Sequence, residues 1–293
     1  MNFAAIKLSL KQTKALRLLL APVLALRRRA QQSKMQVENN VLDHLSRILG
    51  DEVAMNMEAF NGRFTAGTRT DLFRTIAVTG EYESELAMIC KAHLAPDRDA
   101  IDIGANIGLY SVMMAKHLRG RKVVAIEPTP NALARLRRNI QTNAVHEQVI
   151  VFDGVASDKD GRAEIKTIVD KEEYSSMGGL THAAVAGMRH EVLDVAAITI
   201  DTLAREHALD VGFIKIDVEG MEHVVLQGME NVLKKHRPAI LAELSNPLLN
   251  ANGSSSQAVV QFMEERGYRV TDPLHPGLRP GHRSFGDMLC LPL

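Results

Sequence analysis

The sequence predicts an α/β fold built on a mostly parallel sheet. From residue 100 onward, short apolar runs alternate with longer helical stretches, which is typical of parallel strands joined by helices that cover both faces of a sheet. The last two apolar runs flank one loop, as expected for a terminal antiparallel pair. We therefore predict three regions: a basic arm at 1–35, a mostly helical region at 36–98 that forms an N-terminal extension, and a sheet domain at 99–293.

The elements of the sheet domain follow from these runs. Seven strands are predicted, at residues 100–103, 122–126, 149–152, 211–217, 238–244, 268–270 and 287–291. A further run at 164–169 indicates an extra strand within an insertion. Helices are predicted at residues 107–118, 130–143, 219–236 and 255–266. Upstream, helical patterns cover 41–49 and 83–94, and glycines mark the loops between them.

Composition excludes several classes of protein. The 293 residues are 46% hydrophobic and 24% charged, which are ordinary values for a globular chain and unlike those of disordered or collagen-like proteins. Cys90 and Cys290 are the only cysteines, so a disulfide scaffold is excluded and a reducing, cytoplasmic location is favoured.

The zero net charge conceals a basic arm on an acidic body. Residues 1–34 hold eight basic and no acidic residues, which leaves 27 basic and 35 acidic residues in the remainder. The apolar run at 16–26 is shorter than the roughly 20 residues that span a bilayer. The arm is open to three interpretations: a transit peptide, a helix lying on an anionic membrane surface, or an extension without a specific role. Nucleic-acid binding is not expected, because no aromatic residues accompany the charges.

The turn after the first strand of the sheet domain is a candidate ligand site. Asp102 ends the strand, and Gly104 and Gly108 allow a tight turn and the close approach of a ligand. Their GxxxG spacing differs from the GxGxxG of dinucleotide-binding folds. A carboxylate at this strand end suits an amine-bearing ligand better than a pyrophosphate.

Two further strand ends complete a plausible nucleoside site. Glu127 ends the second strand, where a carboxylate can accept hydrogen bonds from ribose hydroxyls, and residues 153–155 end the third, where an adenine ring would lie. Together the three strand ends suit S-adenosylmethionine. The predicted cofactor-binding residues are Asp102, Gly104, Ala105, Asn106, Gly108, Glu127, Pro128, Asp153, Gly154 and Val155.

Several segments resemble the FkbM family of methyltransferases. The resemblance runs from about residue 80 to 291, and it is most specific in the block Lys-Ile-Asp-Val-Glu-Gly-Met-Glu at 215–222. The other matching segments are 80–83, 102–108 with Tyr110, 127–130, Asn139, Asn143 and 200–203. The resemblance implies a class I methyltransferase (Rossmann-like) fold with a seven-stranded sheet and a reversed C-terminal hairpin. It also implies S-adenosylmethionine as cofactor and, usually, O-methylation.

The fourth and fifth strand ends supply the candidate catalytic residues. An oxygen acceptor needs a proton acceptor nearby, and Asp217 and Glu243 end these two strands. His223 is an alternative base, four residues after Glu219 on the same predicted helix face. No metal is predicted, although Asp217, Glu219, His223 and Glu243 could instead bind a divalent ion.

The acceptor itself cannot be derived from these patterns. A hydroxyl on a small molecule, a glycan or a lipid-linked acceptor fits the resemblance, with loops at 174–180 and 272–286 beside it. Basic residues of the second loop, His275, Arg279, His282 and Arg283, either hold an acidic group or form a solvated hairpin tip. The alternative functions are a nicotinamide-dependent oxidoreductase and a non-catalytic, membrane-associated binding protein on the same fold.

Overall fold

The computed structural model describes residues 40–42, 44–168, 190–281 and 284–293. Residues 40–42 and 44–49 are helical and belong to a unit separate from Glu52–Leu293, which forms one compact unit. The predicted arm at 1–35 and the loop at 174–180 lie outside the described residues, as do His282 and Arg283. Within the described ranges, no helix is long and apolar enough to cross a membrane.

Eleven strands form two sheets in the described part of the chain. Their bounds are β1 (Glu52–Met57), β2 (Gly62–Gly67), β3 (Asp99–Ile103), β4 (Val123–Glu127), β5 (Val149–Ala156), β6 (Gly161–Ile168), β7 (His190–Ile198), β8 (Val211–Ile216), β9 (Ala239–Ser245), β10 (Tyr268–Thr271) and β11 (Phe285–Pro292). Strands β1 and β2 form an antiparallel hairpin, and the other nine form one sheet in the order β10-β11-β9-β8-β3-β4-β5-β7-β6.

The large sheet confirms the predicted fold class. Strands β3, β4, β5, β7, β8 and β9 run parallel to one another, whereas β6 is antiparallel to β7 and β11 is antiparallel to both β9 and β10. All seven strands predicted for the class I methyltransferase sheet are present. Because β4 and β8 flank β3 on opposite sides, the strand order reverses there, and ligands of such sheets bind outside the carboxyl ends of the strands at that point.

Helices cover both faces of the sheet. Their bounds are α1 (Asp71–Thr79), α2 (Ser84–His93), α3 (Leu109–His117), α4 (Pro130–Thr142), α5 (Ile200–Glu206), α6 (Glu222–Gln227), α7 (Glu230–Lys235), α8 (Asn246–Ala251) and α9 (Ser256–Glu265). Alternate residues of β8 enter different cores: Phe213 packs on the side of α2, α3 and α4, and Ile214 on the side of α5, α6, α7 and α9. Successive side chains of a strand point to opposite faces of the sheet, so β8 is buried on both faces.

The hairpin β1–β2 differs from the helical structure predicted for this region. The six residues of β1 mix Met, Ala and Val with polar residues, so local propensity does not separate helix from strand. A short 3-10 turn at Glu58–Phe60 and a left-handed Asn61 close the hairpin. Phe60 and Phe64 are fully buried in the core that includes α3 and α4. Tertiary packing therefore decides the conformation here, as is usual for strand propensity.

Other elements also differ from prediction, among them the helices α5 and α8, which were not predicted. The helix expected at 219–236 is divided into α6 and α7 at Gly228, where a Cβ atom would lie 2.0 Å from the Ser157 carbonyl oxygen. The predicted extra strand corresponds to β6. It pairs with β7, which was not predicted, and together they extend the sheet beyond β5.

Candidate functional site

A cleft lies at the carboxyl ends of the strands, where the strand order reverses. About 740 Å³ of empty space lies within it, which includes the open solvent at its mouth. Its lining comes from the segments that follow β3, β4, β5 and β8, together with β6. The lining residues are Ile103, Gly104, Asn106, Ile126, Glu127, Pro128, Thr129, Ala132, Gly154, Val155, Ala156, Ile165, Asp217, Val218, Glu219 and Met221.

The turn after β3 places backbone directly against the end of β8. Gly104 has a φ of +80°, and a Cβ atom there would lie 1.8 Å from the carbonyl oxygen of Asp217. Only glycine fits this position, because any side chain would force the two segments apart. Asn106 is also left-handed, with a φ of 49°, and lines the cleft. Strained residues of this kind cluster at functional sites.

Three donors fix the carboxylate of Glu127 at the wall of the cleft. Its Oε2 accepts a hydrogen bond from the Asn106 amide at 2.8 Å, and its Oε1 accepts from the Thr129 amide at 2.9 Å and the Thr129 hydroxyl at 2.6 Å. The residue is buried, so these charge-assisted bonds offset its desolvation. A carboxylate held in this way can receive ribose hydroxyls. Sequence reasoning did not identify Thr129 as its partner.

The end of β5 contributes an apolar wall but not its acidic side chain. Gly154 and Val155 line the cleft, with Ile165 of β6 opposite, and such a surface suits a flat aromatic ring. Asp153 is exposed and forms an ion pair with Arg137 at 3.3 Å. The structure therefore places Gly154 and Val155 at the predicted site, and the Asp153 side chain outside it.

Three other predicted residues support the cleft without lining it. Asp102 is fully buried beneath α3, where its Oδ2 accepts a hydrogen bond from the Ser111 hydroxyl at 2.5 Å, and burial raises the pKa of this carboxyl. The structure therefore places the Asp102 side chain within the core, and its contact with a ligand amine stays a prediction. Ala105 and Gly108 form the turn itself, and a Cβ at Gly108 would lie 2.5 Å from Leu136.

Five carboxylates, two of which line the cleft, interact electrostatically around the end of β8, and we call them the acidic mouth. They are Glu83, Asp217, Glu219, Glu243 and Asp287. Burial, reinforced by the charge of Asp217, raises the pKa of Glu243 well above its usual value. Burial, with the charge of Glu83, raises the pKa of Asp287 to about 6. Asp287 and Glu243 are cross-strand partners in β11 and β9.

His223 lies apart from the other residues that the sequence suggested as a possible metal site. No three His, Cys, Asp or Glu side chains in the described ranges converge closely enough to hold an ion. His223 is directed elsewhere: its Nδ1 lies 2.6 Å from the Ser254 hydroxyl oxygen, and its ring packs edge-on against Phe262. Burial lowers the pKa of His223. The structure thus brings Asp217 and Glu243 together and separates His223 from them.

The basic residues of the 272–286 loop are engaged in local pairs. His275 contacts the buried carboxylate of Asp272 at 3.2 Å, and Arg279 pairs with Glu264 on α9. Neither lines the main cleft. These two side chains thus pair within the loop and with α9 in the structure, and contact with an acidic acceptor group stays a prediction.

Sequence reasoning assigned no role to two site residues, Glu83 and Lys215, although both lie in segments that carry the family resemblance. Glu83 precedes α2 in a left-handed conformation with a φ of 45°. Lys215 lies inside β8, and its Nζ is 2.9 Å from Asp217 Oδ2. A lysine within the otherwise apolar run Val-Gly-Phe-Ile-Lys-Ile was a usable signal, because a buried charge requires a partner.

Comparisons with known proteins agree with this arrangement. A family model described as the methyltransferase FkbM domain matches residues 102–270. The 31-O-demethyl-FK506 methyltransferase FkbM of Streptomyces tacrolimicus is 28% identical over 215 residues, which are 63% of this chain and 78% of that protein. The AMB antimetabolite synthetase AmbE of Pseudomonas aeruginosa is 26% identical over 214 residues, 61% of this chain but only 10% of the synthetase.

A solved structure is similar in outline. The methyltransferase FkbM from Methylobacillus flagellatus has 18% sequence identity and a TM-score of 0.42, and the match covers 75% of this chain and 52% of that one.

Proposed function

The chain belongs to the FkbM methyltransferase family, and on this premise we propose that it is an S-adenosylmethionine-dependent O-methyltransferase. The acceptor we propose is a hydroxyl group on a small molecule, a glycan or a lipid-linked compound. When bound, S-adenosylmethionine supplies an electrophilic methyl group carried on a sulfonium. The residues of this chain bind the cofactor, orient the acceptor and receive its proton.

The observation that carries the proposal is the fixed carboxylate of Glu127 at the wall of the cleft. Its two oxygens are oriented by three donors from Asn106 and Thr129, at the strand end where a ribose is bound in folds of this class. The apolar wall at Gly154 and Val155 lies beside it and suits adenine. The residues present therefore fit the nucleoside part of the cofactor.

The acidic mouth supports the proton-accepting role. A neutral hydroxyl becomes a better nucleophile as its proton passes to a neighbouring base. Asp217 lines the cleft, and Glu243 acts on it electrostatically from the next strand. We assign the acceptor proton to Asp217, with Glu243 orienting the acceptor. The surplus of carboxylates also disfavours an anionic acceptor through like-charge repulsion.

A transfer assay with trideuteromethyl-labelled S-adenosylmethionine tests this function. Wild-type protein is offered neutral, amine-bearing and acidic hydroxyl compounds, and the products are analysed by mass spectrometry. We expect a labelled O-methyl product from a neutral or amine-bearing acceptor. Asp217→Asn should reduce the rate by about 100-fold or more, because a general base contributes that much.

The matched control is Asp97→Asn, because Asp97 is exposed and precedes β3, at the amino end of the strand. This variant should react at the wild-type rate. Label on nitrogen or carbon, or equal rates for Asp217→Asn and wild type, would contradict the proposal.

A further inference from the structure

Lys215 is a buried cation in the central strand beside the cleft. Its residue is 7% exposed, and the other residues of β8 are all buried. A buried ammonium is strongly unfavourable unless its partners compensate for the lost water. The position of Lys215 therefore depends on what surrounds its side chain.

Two groups hold the Lys215 ammonium in one place. Its Nζ donates a hydrogen bond to Asp217 Oδ2 at 2.9 Å and lies 4.6 Å from the centre of the Tyr110 ring. That ring is itself fixed, because its hydroxyl donates to Glu83 Oε2 at 2.8 Å and its edge packs on Phe60. An ammonium above an aromatic face gains a cation–π interaction, which is strongest where water is excluded.

The ammonium also faces a carboxyl in the core. Asp102 is the register partner of Lys215 across β3 and β8, so both side chains lie on the same face of the sheet. Asp102 Oδ1 has no hydrogen-bond partner among the described residues. Burial acts to lower the pKa of Lys215, but the charges of Asp217, Glu83 and Asp102 outweigh it and raise that pKa. Lys215 therefore stays protonated throughout the neutral range.

We propose that Lys215 is a positioning residue whose fixed ammonium holds the Asp217 carboxylate at the cleft wall and supplies the counter-charge of the acidic mouth. The role rests on the proposed function, since it matters only if Asp217 receives a proton there. Lys215 does not itself line the cleft. It acts through Asp217, and the charge rather than the bulk of its side chain is what the site needs.

The titratable side chains around the Lys215 ammonium come from every element that packs against it. Some titratable groups interact electrostatically with Lys215, and others interact with one of those groups. Together they are Tyr82, Glu83, Cys90, Asp102, Tyr110, Asp217, Glu219, Glu243, Asp272 and Asp287. Lys215 opposes the upward shift in the pKa of Glu83, Glu243 and Asp287. Removal of the ammonium should therefore raise all three.

The test compares Lys215→Met, which removes the charge, with Lys215→Arg, which keeps it. Carboxyl titration by carbon-13 NMR follows Asp287, whose signal is assigned with Asp287→Asn. We expect the Asp287 midpoint, about 6 in wild type, to rise in Lys215→Met, because the opposing charge is lost, and to stay near the wild-type value in Lys215→Arg. The pH at which methyl transfer reaches half its maximum should rise with it in Lys215→Met alone.

A second pair of variants covers the case in which Lys215→Met does not fold. Tyr110→Leu removes the ring beneath the ammonium, and Tyr110→Phe keeps it. The Leu variant should raise the Asp287 midpoint, and the Phe variant should not raise it to the same extent. An unchanged Asp287 midpoint and pH profile in Lys215→Met, or equal midpoints in the two Tyr110 variants, would overturn the proposal.

Calorimetry with S-adenosylhomocysteine on the same samples distinguishes a failure of the proposed function from a failure of the positioning role of Lys215. Wild-type protein that does not bind this compound contradicts the proposed function. Protein that binds it while the Asp287 midpoint is insensitive to Lys215 contradicts only the positioning role.

Discussion

Glu127 illustrates at the residue scale how the backbone prepares a side chain for a ligand. The left-handed Asn106 directs its amide to Glu127, and Thr129 supplies both an amide and a hydroxyl. The carboxylate is therefore oriented before any ligand arrives. Pre-organisation of this kind reduces the entropy that binding must overcome.

Glu222 gives a prediction on stability at the same scale. It is 2% exposed, its Oε1 accepts from the Gly220 amide, and its Oε2 has no partner among the described residues. Burial raises the pKa of Glu222 to about 7. The unfolded chain releases this proton near pH 4.5, whereas the folded chain keeps it until about pH 7. The stability contributed by Glu222 is therefore complete below pH 4.5 and is lost as the pH rises through 7.

Glu222→Gln should remove this loss of stability at high pH, because the glutamine side chain resembles the protonated carboxyl of Glu222. We expect the variant to exceed wild type by about 1–3 kcal/mol in free energy of unfolding at pH 8.5, and by much less at pH 5. Urea denaturation at both pH values measures the difference. Glu206→Gln, at an exposed position on α5, is the control and should match wild type. A Glu222→Gln variant with the wild-type pH dependence would refute the assignment.

Single residues also show what the sequence could and could not predict about the site. Gly104, Glu127, Gly154 and Asp217 were found because strand ends in an alternating α/β pattern meet at one edge of the sheet. The side chains of Asp153 and His223 were misplaced, because their directions depend on distant partners. Arg137 of α4 draws Asp153 outward, and Ser254 draws His223 away.

At the scale of elements, the hairpin β1–β2 is attached to the sheet domain by the side-chain amides of Asn139 on α4 and of Asn143, which directly follows α4. The Asn139 side chain accepts from the Thr65 amide at 2.7 Å and donates to the Thr65 and Ile107 carbonyls. Asn143 pairs in the same way with the backbone of Arg63. Asn139 therefore connects three elements: the hairpin, α4 and the turn that forms the cleft floor.

Asn139→Ala should destabilise this connection. Asn139 is fully buried, so its removal leaves one amide and two carbonyls without partners, and we expect a loss of about 2–4 kcal/mol in free energy of unfolding. Gln141→Ala, at an exposed position on the same helix, should cost much less. Urea denaturation of both variants provides the measurement. Equal losses would contradict the role of Asn139.

The elements also mark the limits of sequence-based prediction of the fold. The parallel strands were predicted because both their faces are buried, which requires a continuous apolar run. The hairpin and β7 were missed because they are partly exposed and mix polar with apolar residues, so their conformation depends on pairing partners. The break at Gly228 was missed because it results from close contact with Ser157 in a distant loop.

At the scale of the whole molecule, the acidic excess of residues 35–293 gathers in part at one functional edge. Five carboxylates form the acidic mouth, and Lys215 is the buried cation bonded to one of them. The basic arm at 1–34 lies outside the described residues, and its membrane contact remains a prediction. The architecture therefore places Asp217 and Glu219 in the cleft and couples the other three carboxylates electrostatically to Asp217.

Calorimetric titration of S-adenosylhomocysteine tests the central claim most directly, namely that this cleft is a cofactor site organised by Glu127. Wild type should bind S-adenosylhomocysteine and not NAD. Glu127→Ala should bind it about 10–100-fold more weakly, because two hydrogen bonds to a charged group are lost. Glu147→Ala, at an exposed position before β5, should bind like wild type. Absence of binding by wild type, or an unchanged affinity in Glu127→Ala, would contradict the account.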